Sequence, residues 1–179
     1  MPNSDYAPGL PEKGAYGDLS QLTPGQLVTY ALQEHRTKRS KGRSHYDLRL
    51  GTPDTGLFSW AVPQARLPLP KEKLLAIRTE LHRHGYGQFQ GTLGPGYGQG
   101  QVRRADYGEA VIHSHTPRSV QFTIAHAKVP TRYRLMHIKE DQWLLFNTTP
   151  QGVENMPQMK PSFKLLTEAE LPNALEHAK

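Results

Sequence analysis

Cysteine is absent from the 179 residues. Its absence excludes disulfides and thiolate metal ligands, so any bound metal rests on His, Asp or Glu. Long hydrophobic runs are missing too, and no apolar stretch reaches bilayer-spanning length. The opening MPNSDYAPGLPEKG lacks the apolar segment of a signal peptide. The expectation is a cytoplasmic protein with no membrane partner. Apolar side chains are sparse overall, at 36% of residues, and mean hydropathy is −0.67. The length still suffices for one domain with a real core, and not for two.

Positive charge and chain-turning residues are plentiful. Twenty-two Lys and Arg against 16 Asp and Glu give a net charge of +6, with a pI near 9.6. That balance favours a polyanionic partner, nucleic acid first. Sixteen glycines and 15 prolines place much of the chain in turns. Between the turns lie short strand-like runs: LVTYALQEH (27–35), HYDLRL (45–50), LFSWAV (57–62), QFQGTL, VRRADYG, EAVIHS, SVQFTIAHA, TRYRLMHI and QWLLFN. Many short strands with regular turn signals predict a mainly β fold, a sandwich or a barrel. KEKLLAIRTELH (71–82) has helical composition, yet Leu75, Ile77, Thr79 and Leu81 alternate with Ala76, Arg78, Glu80 and His82 as in a strand. GTLGPGYGQG (91–100) lacks the lysine of a phosphate-cradling loop, so its glycines read as turn residues. The expected division is an irregular arm at 1–24, a domain at 25–150 and a strap or linker at 151–179. In the last, Thr167 and Glu170 have capping-box spacing for a short helix near Pro172.

RSHYDLRL (43–50) carries the chemistry. Strand side chains alternate between faces, so His45, Asp47 and Arg49 project to one side and Tyr46, Leu48 and Leu50 to the other. A half-buried strand with a solvated polar face explains the pattern. So does a metal and phosphate site, since imidazole and carboxylate bind divalent metals and guanidinium pairs with phosphate. Just before it, RTKRSKGRS supplies Arg36, Lys38, Arg39, Lys41 and Arg43. These read as a nucleic-acid-binding loop that contacts backbone phosphates. His84, beside His82, reads as exposed, and His113, His115, His126 and His137 have no carboxylate partner at a telling spacing and read as structural or solvated. Trp60 reads as core.

In order along the chain, QEH (33–35), HYDLRL (45–50), SWAVP (59–63), LAIRTELH (75–82), YGQFQG (86–91) and GYGQG (96–100) resemble the 3′-phosphoesterase domain of bacterial end-joining DNA ligases, the ligase D type. YRLMHI…WLLFN (133–147) resembles that domain's closing strands. The resemblance implies a compact single-domain β-barrel with short flanking helices. It implies a manganese-dependent enzyme of DNA repair by non-homologous end joining. Such an enzyme removes a 3′-terminal ribonucleoside and then the 3′-phosphate from DNA or RNA-containing DNA ends, beside a DNA ligase or polymerase. The family's metal ligands carry over to His35, His45 and Asp47. Its catalytic arginine carries over to Arg49, the histidine ending its EDH segment to His82, and its tyrosine to Tyr86. His82 would contact the phosphate or protonate the leaving oxygen.

The match has departures. His35 and His45 are ten residues apart, a wider interval than the family's. Gln64 stands where the family has a phosphate-serving lysine, and Leu74 where it has an arginine. Arg66, Lys73 and Arg78 are the cations that would compensate. The acidic N-terminal motif of the family's ribonuclease step has no counterpart in 1–24. The alternative function is a noncatalytic end-binding module associated with a ligase, and a metabolite-carrying barrel is a third reading. If 36–44 contacts phosphates, duplex-end binding weakens steeply with salt. Neutralising Arg39, Lys41 and Arg43 together should flatten that slope in a salt titration of binding, and an unchanged slope would reduce the segment to a solvated hairpin.

Overall fold

A computed structural model describes residues 16–37, 44–93, 100–125 and 130–150. The strands are β1 (Leu27–Thr37), β2 (Ser44–Thr52), β3 (Gly56–Val62), β4 (Lys73–His82), β5 (Gly91–Leu93), β6 (Gly100–Thr116), β7 (Ser119–Ile124), β8 (Thr131–Lys139) and β9 (Gln142–Asn147). Eight of them follow the order β1-β2-β3-β4-β9-β8-β7-β6, and β6 returns to pair with β1. Every pairing is antiparallel, so the sheet closes into an eight-stranded barrel with β5 added along β6. Closure removes the free edges that an open sheet would expose.

Alternation decides what fills the barrel. Tyr30 and Leu32 of β1, Tyr46, Leu48 and Leu50 of β2, and Phe58 and Trp60 of β3 point inward and are buried. Phe122, Tyr133, Trp143 and Leu145 meet them from the far wall. Trp60 and Trp143 pack edge to face, with centroids 5.6 Å apart. Each such large side chain stabilises the fold by about 1.5–3 kcal/mol through burial. An interior occupied by its own aromatic and aliphatic groups argues against a barrel that carries a metabolite.

Within 71–82, Lys73–His82 form a strand. Leu74 and Ala76 enter the core while β3 and β9 pair on either side, and that packing overrides the helical composition. The expected alternation breaks once. Ser59 pairs with Thr79 but Leu57 with His82, so β4 carries one extra residue there. This bulge turns Leu81 into the core and places His82 on the outer side. VRRADYG and EAVIHS, expected as two strands, form the single 17-residue β6. Among the described residues the helical elements are two 3-10 turns, Leu19–Gln21 and His84–Gln88. The short C-terminal helix expected in 151–179 lies outside the described residues. So do the glycine-rich 94–99, most of the basic loop (38–43) and His126. Residues 16–22 close one barrel end with Leu19 and Leu22. Arg78 ties them down by donating to the carbonyls of Tyr16 and Gly17, at 2.9 and 3.1 Å. No described helix is long and apolar enough to cross a membrane.

Candidate metal and phosphate site

The outer wall of β1–β3 holds the polar groups. In the β1–β2 register His35 pairs with His45 and Gln33 with Asp47, while Ser59 of β3 pairs with Arg49. The wide sequence interval between the histidines is therefore absorbed by the hairpin, which returns His45 directly opposite His35. The polar face of β2 is covered at Asp47 and Arg49 and part-exposed at His45. Arg49 is 3% and Asp47 5% exposed, because the segment 83–90 crosses over this wall. Tyr86 and Phe89 of that segment stack at 5.1 Å and join Val102 and Leu93 in a second small apolar cluster.

Three donor atoms, one each from His35, His45 and Asp47, lie within 4.8 Å of one another. His35 Nδ1 is 3.5 Å from Asp47 Oδ2, and His45 Nε2 is 3.2 Å from Oδ1. Two imidazole nitrogens and one carboxylate suit a borderline or hard divalent ion and leave coordination positions open. These three residues could hold a metal ion.

The charges are coupled. Burial opposes ionisation of Asp47, but His45, Arg49 and the hydrogen bonds of both imidazoles outweigh it and hold the carboxyl well below its ordinary value. Burial likewise pulls His45 down, and the charge and hydrogen bond of Asp47 overcome it and raise His45. The Asp47 contribution to stability is complete above the ordinary carboxyl value and is lost as pH falls through the depressed one. The His45 contribution is complete below its ordinary 6.5 and is lost as pH rises through the raised value.

Arg49 adjoins this cluster, with Nη2 3.5 Å from Asp47 Oδ2. Its Nη1 donates to Ser59 Oγ at 2.7 Å, and its Nε donates to Gln33 Oε1 at 2.6 Å. The guanidinium sits 5.0 Å from the Tyr86 ring centre. His82 lies beside it, its ring 5.0 Å from that of Tyr86. His82 Nδ1 is 2.8 Å from the Glu80 carbonyl oxygen, which only accepts. Arg49 Nη1, which only donates, lies 3.1 Å from the same nitrogen, so His82 Nδ1 sits between a donor and an acceptor.

The residues expected from sequence thus divide. His35, His45, Asp47, Arg49, His82 and Tyr86 come together. Arg36 is exposed at the end of β1, and Lys38, Arg39, Lys41 and Arg43 lie outside the described residues. Arg66 makes a two-bond ion pair with Glu72, at 2.5 and 2.7 Å, in the β3–β4 connection. Lys73 is exposed at the start of β4, and Leu74 beside it is core. Arg78 is turned to the barrel interior against Phe58, Trp60 and Trp143, and burial lowers its pKa to about 10. His84, His113 and His137 bond to Thr29, Thr123 and the Glu140 carbonyl, away from the cluster. Gln33 and Ser59 went unremarked in the sequence. Gln33 was within reach of the same alternation argument, two residues before His35 on one face.

Residues 33–137 match the family described as the DNA Ligase D 3′-phosphoesterase domain. The chain belongs to that family. It is 33% identical over 146 residues, 76% of its length, to the multifunctional non-homologous end joining DNA repair protein LigD of Mycobacterium tuberculosis. It is 34% identical over 130 residues, 66% of its length, to the multifunctional non-homologous end joining protein LigD of Pseudomonas aeruginosa. The chain spans 18% and 15% of those two relatives.

In the metal-free protein, Asp47→Asn should move His45 from above its ordinary value to below it. Burial and Arg49 then act on it without the opposing carboxylate. A histidine NMR titration reads this directly, and a His45 value that stays raised would contradict the coupling.

Proposed function

We propose that this chain is a metal-dependent 3′-phosphoesterase domain that heals nucleic-acid ends, hydrolysing a terminal 3′-phosphate to leave a hydroxyl. The observation that carries the reading is the convergence of His35, His45 and Asp47 beside the Arg49 guanidinium, in a chain of this family. Manganese is the preferred ion, with His35, His45 and Asp47 as its ligands. The chemistry supplied by such an ion is Lewis-acid polarisation of the phosphoryl group and acidification of water.

The chain's own residues do the rest. Arg49 binds a nonbridging phosphate oxygen and steadies charge as it builds there. His82 is suited to hydrogen-bond the phosphate or to exchange a proton at the leaving oxygen. Tyr86 closes the site from above, its ring against both Arg49 and His82. Arg36, Lys38, Arg39, Lys41 and Arg43 guide the nucleic-acid backbone, while Arg66, Lys73 and Arg78 are less suited to phosphate given their positions. Residues 25–150 form the working domain, with 1–24 an arm and 151–179 a strap. DNA or RNA-containing DNA 3′ ends are the substrates, a DNA ligase or polymerase the partner, and the cytoplasm the location. A purely noncatalytic end binder has little use for three converging metal ligands, so the catalytic reading is preferred.

The test is incubation of the chain with a 3′-phosphate primer–template, with and without manganese. Conversion to a 3′-hydroxyl should require the ion and should exceed removal of a terminal ribonucleoside. Asp47→Ala should abolish manganese binding and turnover. Arg49→Ala should keep manganese affinity within a few-fold and lower turnover by about 100-fold or more. Normal manganese affinity and turnover in Asp47→Ala would overturn the assignment.

A further inference from the structure

We propose that Gln33 is a positioning residue, whose side-chain amide locks Arg49 and the Tyr86 segment into one frame that receives the phosphoryl group. The inference rests on the phosphate-binding reading of Arg49 given above.

Gln33 is fully buried on the site face of β1, and its amide has its hydrogen-bonding groups engaged. Oε1 accepts from Arg49 Nε at 2.6 Å. Nε2 donates to the Tyr86 carbonyl at 2.8 Å and to the Phe89 carbonyl at 3.0 Å. The orientation of the amide is fixed by its partners, because a guanidinium nitrogen only donates and a backbone carbonyl only accepts.

Arg49 is then held on several sides. Gln33 holds Nε from β1. Ser59 holds Nη1 from β3, and its own hydroxyl donates to the Leu57 carbonyl at 3.0 Å. Asp47 stands 3.5 Å from Nη2, and the Tyr86 ring covers the guanidinium at 5.0 Å. With Nε and Nη1 engaged, the remaining donor capacity of Nη2 lies on the Asp47 side, next to the three metal-ligating atoms. An arginine without the Gln33 bond keeps its charge but not this direction. A displacement of about 1 Å from a reacting group can lower a rate by about 100-fold.

No other side chain substitutes cleanly. Glutamate keeps the acceptor for Arg49 but turns an oxygen toward two carbonyls. Methionine keeps the length and loses all three bonds. A role confined to stability would weaken the fold without touching phosphate handling.

The experiment measures manganese affinity, inorganic-phosphate affinity of the manganese-loaded protein, and turnover of a 3′-phosphate oligonucleotide. It uses the wild type, Gln33→Met, Arg49→Lys and the double variant. Gln33→Met should keep manganese affinity within about threefold while phosphate affinity and turnover fall by about 10- to 100-fold. In the Arg49→Lys background, which lacks Nε, the same substitution should add less than about threefold. Wild-type phosphate affinity and turnover in folded Gln33→Met, or fully additive losses in the double variant, would overturn the proposal. A second measurement needs no variant: the Arg49 Nε proton of the wild type should exchange slowly with water by NMR, and exchange as fast as a free arginine would also overturn it. Turnover of 3′-phosphate ends by the wild type tests the proposed function separately, so either idea can fail alone.

Discussion

The structure turns on a carboxylate buried where a barrel wall should be neutral. Asp47 is 5% exposed and carries its charge between His35, His45 and Arg49. An isolated buried charge of this kind is untenable, and removing one partner of such a set costs about 3–5 kcal/mol. Everything around Asp47 supplies compensation. The β1–β2 register delivers one imidazole from each strand, β2 itself delivers the guanidinium two residues on, and segment 83–90 limits water access. A divalent ion bound by the same groups would complete that balance.

The barrel separates two jobs by face. Inside, Trp60, Trp143, Tyr30 and Phe122 make a packed core that gives β2 little freedom to shift. Outside, the same strands present the titratable groups on a rigid support, which is what a site of narrow tolerance needs. Two arginines show the division. Arg49 faces out and is oriented by Gln33, Ser59 and Asp47. Arg78 faces in, lies near four aromatic rings and fastens the chain at Tyr16 and Gly17.

Much of this was legible in the sequence. The period-two pattern of HYDLRL separates Tyr46, Leu48 and Leu50 from His45, Asp47 and Arg49, and both faces are where alternation puts them. Local pattern did not reveal that the polar face is covered, because the covering residues come about 40 positions later. Alternation alone also set His82 beside Ala76 and Arg78. The bulge opposite Phe58 reversed it, and a one-residue insertion leaves no mark in an isolated strand. Arg66, Lys73 and Arg78 have the charge for phosphate, but their directions depend on an ion pair with Glu72 and on strand faces that charge does not encode. Ser59 has no signature until its partners are in place, whereas alternation alone sets Gln33 on the face of His35.

The central claim is that one divalent ion is held by two imidazoles and one carboxylate on the outer wall of β1 and β2. Pulsed EPR of manganese titrated into the metal-free protein tests it most directly. The account predicts one tight site per chain with two imidazole nitrogens coupled to the ion, and a single coupled nitrogen in His35→Ala. Manganese with no histidine coupling, or with both couplings intact in His35→Ala, would contradict it.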